Sequence, residues 1–177
     1  MVRLFAALHV PPQIGEGLAR RQLGLPGARW RPLEAMHVTL RFFGEVTEAK
    51  AADLDDALSL VRGSPLELTL AGAGAFGEGE AIHAVWAGVE DNPALNILAG
   101  RCESAARRVG LKAESRVYKP HVTLAYLSRP DPRAVAAWIQ DNNLLKSPPF
   151  TVPSFGLYSS SLGREGSIYR LERLYRL

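Results

Sequence analysis

The tetrapeptide His-Val-Thr-Leu occurs twice, at residues 37–40 and 121–124, and the copies lie 84 positions apart. With four histidines and five threonines in 177 residues, a His-x-Thr is expected about 0.1 times by chance. The echo extends further, HVTLRFFG against HVTLAYLS. Each copy follows a short irregular stretch and precedes a helical pattern. A repeat of this kind points to two related lobes, not to two independent domains.

The spacing has a physical meaning. Residues i and i+2 of a strand project from one face. His37 and Thr39 therefore share a face, as do His121 and Thr123. Val38, Leu40, Val122 and Leu124 point the other way, into an apolar layer. If the lobes pair about a pseudo-two-fold axis, two imidazoles and two hydroxyls converge on one groove. Histidine titrates near neutrality, so one ring can accept a proton while the other gives one. That suits phosphoryl chemistry without a metal: one imidazole activates water, the other protonates the leaving oxygen, and Thr39 and Thr123 hold non-bridging phosphate oxygens. Two histidines could also ligate zinc. Such a site usually needs a third protein ligand, and none stands at fixed spacing near either motif.

The remaining pattern is mixed. Apolar or alternating runs at 3–10, 37–43, 66–70, 82–89, 121–127, 150–160 and 168–177 predict strands. The last two flank a turn between Gly163 and Gly166. Helical spacing marks 12–23, about 47–61, about 93–109 and 132–140, with Thr47 and Asn92 as N-caps. Interspersed strands and helices with hairpin-like connections predict an α+β fold. The expected form is one bilobal domain over 1–177, with two pseudo-two-fold-related antiparallel sheets backed by helices around a central groove. The hydrophobic fraction of 47% is enough for a core. One cysteine, Cys102, excludes an internal disulfide and is read as inert. The apolar run at the N-terminus is short for a signal peptide, and no stretch reaches the length of a membrane span. A cytoplasmic location, no membrane partner and a monomer are expected. Net charge is only +3, and just four of 21 basic residues are lysine. Arginine suits bidentate phosphate contacts, although most of these arginines read as solvated surface.

On these residues the chain resembles the 2H phosphoesterases. More narrowly, it resembles the bacterial and archaeal RNA 2′,3′-cyclic phosphodiesterases, historically called 2′-5′ RNA ligases. The likeness runs nearly end to end. It is carried by residues 3–11, by Trp30 with 37–40 and Phe43-Gly44-Glu45, by Tyr118-Lys119-Pro120-His121 through Ala125, and by 158–162 with Gly166, Tyr169 and Leu171. The resemblance implies a bilobal fold, no cofactor, and RNA ends or small cyclic nucleotides as partners. It implies hydrolysis of a 2′,3′-cyclic phosphate to a 2′-phosphate, with His37 as proton donor to the leaving 3′ oxygen and His121 as the base. Ligation to a 5′-hydroxyl would be the reverse reaction. The family often carries a phosphate-binding arginine five positions after the second histidine. Here that position is Tyr126, a candidate phosphate ligand by its hydroxyl, and Arg41, on the His/Thr face by alternation, is a candidate replacement for the missing charge.

Other features are weaker. Phe43 and Tyr118 flank the motifs and are candidates to stack on a terminal base; core packing competes for both. Residues 72–77 match G-x-G-x-x-G but lack the following helix of a dinucleotide site, and read as a hairpin loop. His9 and His83 read as packing or surface residues, and Trp86 and Trp138 as core. An RNA-end binding module without turnover is the non-enzymatic rival; two intact histidines argue against it.

Overall fold

The structure is a computed structural model that describes residues 1–164 and 166–177. Residue 165, in the expected turn between Gly163 and Gly166, lies outside the described residues. The elements run β1 (Val2–His9), α1 (Pro12–Ala19), β2 (Arg29–Trp30), β3 (His37–Val46), α2 (Glu48–Ser59), β4 (Leu66–Leu68) and β5 (Leu70–Phe76). They continue with β6 (Ala84–Val89), α3 (Pro93–Arg108), β7 (His121–Tyr126), α4 (Pro132–Asp141), β8 (Phe150–Val152), β9 (Ser154–Gly163) and β10 (Gly166–Arg176). The fold is α+β and its strand pairs are antiparallel.

The main sheet has the order β10-β9-β1-β3-β7-β6-β5, with β2 beside β7; β4 and β8 form a separate ribbon. The two expected sheets are thus two halves of one surface. Their junction between β3 and β7 is a single pair, Val38 with Val122. Neither half is a contiguous stretch of chain. β2 crosses from the N-terminal part to pair with β7, through Trp30 and Ala125. β9 returns from the C-terminal part to pair with β1, and β10 pairs with β9. Tyr175 Oη donates to Asp55 Oδ1 at 2.6 Å, fastening β10 to α2.

Side-chain alternation divides the sheet into two faces. Leu4, Ala6 and Leu8 of β1, Val38 and Leu40 of β3, Val85 and Ala87 of β6, and Val122 and Leu124 of β7 join one buried core. Leu54 and Leu58 of α2, Leu95, Leu98 and Cys102 of α3, and Trp138 of α4 cover them. The helices start where the caps predict. Thr47 Oγ1 accepts from the Lys50 N–H at 3.2 Å and Asn92 Oδ1 from the Leu95 N–H at 3.0 Å. Asp131 does the same for α4, accepting from the Arg133 N–H at 2.9 Å.

Two sequence expectations change. Residues 72–77 are not a loop: Gly72 to Phe76 belong to β5, and Gly74 pairs with Trp86. A Cβ at Gly74 would sit 2.4 Å from the indole of Trp86, so glycine here makes room for a ring. Strand β3 also does not stop at Gly44. That residue has φ +77° at an irregularity of the β1–β3 ladder, and pairing resumes to Val46. Such bulges disturb alternation. Shifts between Leu4 and Phe5 and between Ala6 and Ala7 leave β3 out of phase beyond Leu40. Phe43 therefore turns into the core, at 8% exposure, while Phe42 faces out at 44%.

Two outcomes follow. Gly74→Ala is expected to lower stability by about 1–3 kcal/mol through overpacking against Trp86, measurable by denaturant titration. We also propose that residues 1–177 fold as one unit, because strands cross between the halves. Calorimetry should then give a single transition; two resolved transitions would contradict it.

Candidate functional site

Between the groove face of the sheet and one flank of α3, at Asn96, Ala99, Gly100 and Glu103, lies an open cavity of about 850 Å³, within the usual range for small-molecule sites. His37, Thr39, His121 and Thr123 all line it. The register explains why. Val38 and Val122 are opposite one another and point into the core, with 1% and 0% exposure. One residue either way along each strand lie His37 and Thr39 on β3 and His121 and Thr123 on β7. All four side chains leave from the groove face.

Both imidazoles are held in the same manner. His37 Nδ1 lies 2.9 Å from the Ala35 carbonyl oxygen and His121 Nδ1 lies 2.7 Å from that of Lys119. A carbonyl oxygen only accepts, so Nδ1 carries the proton in the neutral ring. The lone pair sits on Nε2, which is left for the cavity. Each ring is also packed among aromatics. His37 lies 4.9 Å from Phe5 and 5.1 Å from Tyr169 between ring centroids; His121 lies 4.7 Å from Phe76 and 6.1 Å from Trp86. Burial therefore pushes the His37 pKa down to about 4, against the raising effect of the Ala35 hydrogen bond and with help from the Arg31 charge. Burial lowers that of His121 as well, aided by Lys119 and opposed by the hydrogen bond to the Lys119 carbonyl. In the free protein at neutral pH, both rings are neutral and both Nε2 atoms are acceptors.

The other sequence candidates divide. Tyr126 lines the cavity, and burial and the neighbouring Tyr169 push its hydroxyl up to about 12. It stays a neutral donor. Arg41 lines the cavity too, but its guanidinium is occupied. Nε donates to Glu103 Oε2 at 2.5 Å, Nη2 to the Lys112 carbonyl at 2.6 Å, and Nη1 to the Phe42 carbonyl. Glu103 in turn accepts from the Glu114 N–H at 3.2 Å, so Arg41 pins the segment before Tyr118 onto α3. Tyr118 lines the cavity and donates its hydroxyl to the Thr39 carbonyl at 3.0 Å. Phe43, taken from sequence as a stacking candidate, does not line the cavity; the bulge gives that place to Phe42. Trp86 is buried, as expected, but on the groove face beside His121 and not among the helices. His83 lines the cavity and stacks on Phe76. Cys102 is buried, and its thiol is pushed up to about 12 by burial. Among the described residues, no three of His, Cys, Asp and Glu gather as a metal site, and no helix is long and apolar enough to cross a membrane.

One residue escaped the sequence reading. Arg31, just after β2, is 7% exposed and lines the cavity. Nothing local marks it: the stretch looks irregular, and β2 exists only through its pairing with β7.

The model of the 2′-5′ RNA ligase superfamily matches residues 10–164. The chain belongs to this superfamily. Other proteins resemble it over nearly their whole length. An RNA 2′,3′-cyclic phosphodiesterase of Archaeoglobus fulgidus is 29% identical over 177 residues, spanning 98% of this chain and 99% of its own. One from Escherichia coli K12 is 32% identical over 171 residues, spanning 94% and 92%. The crystal structure of E. coli LigT complexed with 3′-AMP superposes with a TM-score of 0.80 at 28% identity, covering 99% of this chain and 98% of that one. The α+β architecture read from sequence is therefore that of the superfamily.

The depressed imidazoles link the site to stability. Between pH 6.5 and about 4 the unfolded His37 binds a proton that the folded one refuses, so stability falls as pH drops through this window. The full shift corresponds to roughly 3 kcal/mol. Chemical denaturation of wild type and His37→Gln at pH 7 and pH 5 should show a smaller loss in the variant. Equal losses would mean that burial of His37 is not the cause.

Proposed function

We propose that this protein hydrolyses 2′,3′-cyclic phosphates at RNA ends to 2′-phosphomonoesters, with His37 and His121 as its acid–base pair. The observation that carries the reading is the pair of Nδ1-anchored imidazoles, each with the threonine of its own motif, on the wall of one cavity. Membership of the superfamily and the names of the relatives support the substrate class.

The roles of the two imidazoles are those that the family resemblance implies, and the geometry supports the chemistry. Water attacks phosphorus, and the neutral Nε2 of His121 takes its proton. The P–O3′ bond breaks, and Nε2–H of a protonated His37 gives its proton to the departing O3′. The product is a 2′-phosphate with a free 3′-hydroxyl. Thr39 and Thr123 donate to the non-bridging oxygens, and the Tyr126 hydroxyl adds a further donor. His37 is neutral in the free protein at pH 7, so it gains its proton together with the anionic substrate, whose charge offsets the burial. Run backwards with a 5′-hydroxyl in place of water, the same groups would form a 2′-5′ bond.

The decisive assay is turnover of a nucleoside 2′,3′-cyclic phosphate in EDTA by wild type, His37→Ala and His121→Ala. Wild type is expected to yield the 2′-phosphate, and each variant to lose 10²-fold or more. A wild type inactive on every cyclic phosphate would sink the reading, and loss of activity in EDTA would sink its metal independence. The pH profile gives a second check. kcat/KM reports the free enzyme, in which both imidazoles lie below 6.5. Its alkaline limb should turn down below that value, while kcat, which reports the loaded site, holds to higher pH.

A further inference from the structure

We propose that Arg31 is the cationic ligand of the substrate's phosphate, delivering from beside β2 the charge that Tyr126 cannot supply. The inference rests on the cyclic-phosphate reading for the identity of the anion, and on the following geometry for the residue. Arg31 is 7% exposed and lines the same cavity as both histidines and both threonines. Its guanidinium carbon lies 5.3 Å from the ring centroid of Tyr126 and 5.4 Å from that of Tyr169. Tyr169 also packs edge-on against His37 at 5.1 Å. One ring therefore supports both the guanidinium and an imidazole, and the cation stands beside His37.

Among the described residues no carboxylate comes within ion-pair distance of Arg31. Its one side-chain hydrogen bond among them runs from Nη2 to the Ser167 carbonyl, at a long 3.3 Å. The other arginines of the cavity are engaged: Arg41 by Glu103, and Arg116 by Glu114 at 3.2 Å. Attraction between a guanidinium and an anion is strong where water is scarce, so a phosphate in the cavity would be held by Arg31. The planar fork matches two phosphate oxygens, and the tyrosine faces hold it flat.

The backbone is fixed to suit. The Arg31 N–H donates to the Leu124 carbonyl at 2.8 Å, and the Arg31 carbonyl accepts from Gln22 Nε2 at 2.7 Å. Leu124 lies between Thr123 and Ala125 in β7, so the second motif strand itself sets where the arginine stands. The position five residues after His121, where sequence comparison expected an arginine, is the very ring that this guanidinium covers.

The test pairs turnover with binding of inorganic phosphate, followed by calorimetry, for wild type, Arg31→Gln, Arg31→Lys and Arg31→Gln/Tyr126→Arg; circular dichroism checks folding. Arg31→Gln should weaken phosphate binding at least tenfold and lower kcat/KM on a nucleoside 2′,3′-cyclic phosphate by 10²-fold or more. Arg31→Lys should keep part of both, and the double variant should regain at least tenfold over Arg31→Gln. A folded Arg31→Gln whose phosphate affinity and kcat/KM stay within twofold of wild type would overturn the assignment, as would a variant that only melts earlier. If Arg31→Gln does not fold, Arg31→Lys decides: a KM raised at least fivefold supports the assignment, and an unchanged KM refutes it. Arg31-dependent phosphate binding without turnover by wild type would leave this assignment standing and remove the reaction proposed above. Turnover that ignores Arg31 would do the reverse.

Discussion

The groove is organised by one antiparallel pair, Val38 with Val122, where the two halves of the sheet touch. Two valines that must be dry face the helices, and the alternation of a strand then obliges their neighbours to face the cavity. Because each strand meets the same obligation at the same point, four polar side chains appear on one wall from two apolar anchors. A slip of one residue would exchange the faces and bury both imidazoles among leucines. Register is held from the flanks, by β1 on one side and β6 on the other, so the site inherits its precision from pairing outside it.

The same arrangement sets the electrostatics. Phe5 reaches the groove face from the centre of β1, where all five residues from Leu4 to Leu8 are buried. It packs beside His37, and Phe76 and Trp86 do likewise for His121. Aromatic walls strip water from the rings and favour their neutral form. Lys119 over Trp86 and Arg31 over Tyr126 add positive charge around them. The result is a site whose imidazoles resist protonation. In the proposed reaction, binding of the anionic substrate and proton uptake by His37 would be one event, and the fold, more than the intrinsic chemistry of histidine, would decide at which pH it happens.

Much of this was legible in sequence, for local reasons. The strand period placed His37, Thr39, His121 and Thr123 correctly, and side-chain caps marked the starts of α2 and α3 at Thr47 and Asn92. What escaped depended on partners distant along the chain. β2 is a strand only because β7 accepts it, and Arg31 has a role only because of where β2 lies. Phe42 and Phe43 exchanged places because β1 imposes bulges on β3 that periodicity cannot foresee. The glycines at 72–77 looked like a loop because their purpose, clearance for the ring of Trp86, is set by the neighbouring strand. Alternation placed Arg41 at the cavity, but its pairing with Glu103 on α3, distant along the chain, had no local sign.

The exchange of strands between the halves has a consequence for biosynthesis. β1 leaves the ribosome long before its partner β9, which begins only at Ser154. Until then a strand buried on both faces in the finished protein has an open edge. The nascent chain cannot close this half-sheet early, and β1 must wait for β9 with apolar surface uncovered. Chaperone dependence should therefore concentrate on the N-terminal strand, even though the chemistry resides elsewhere.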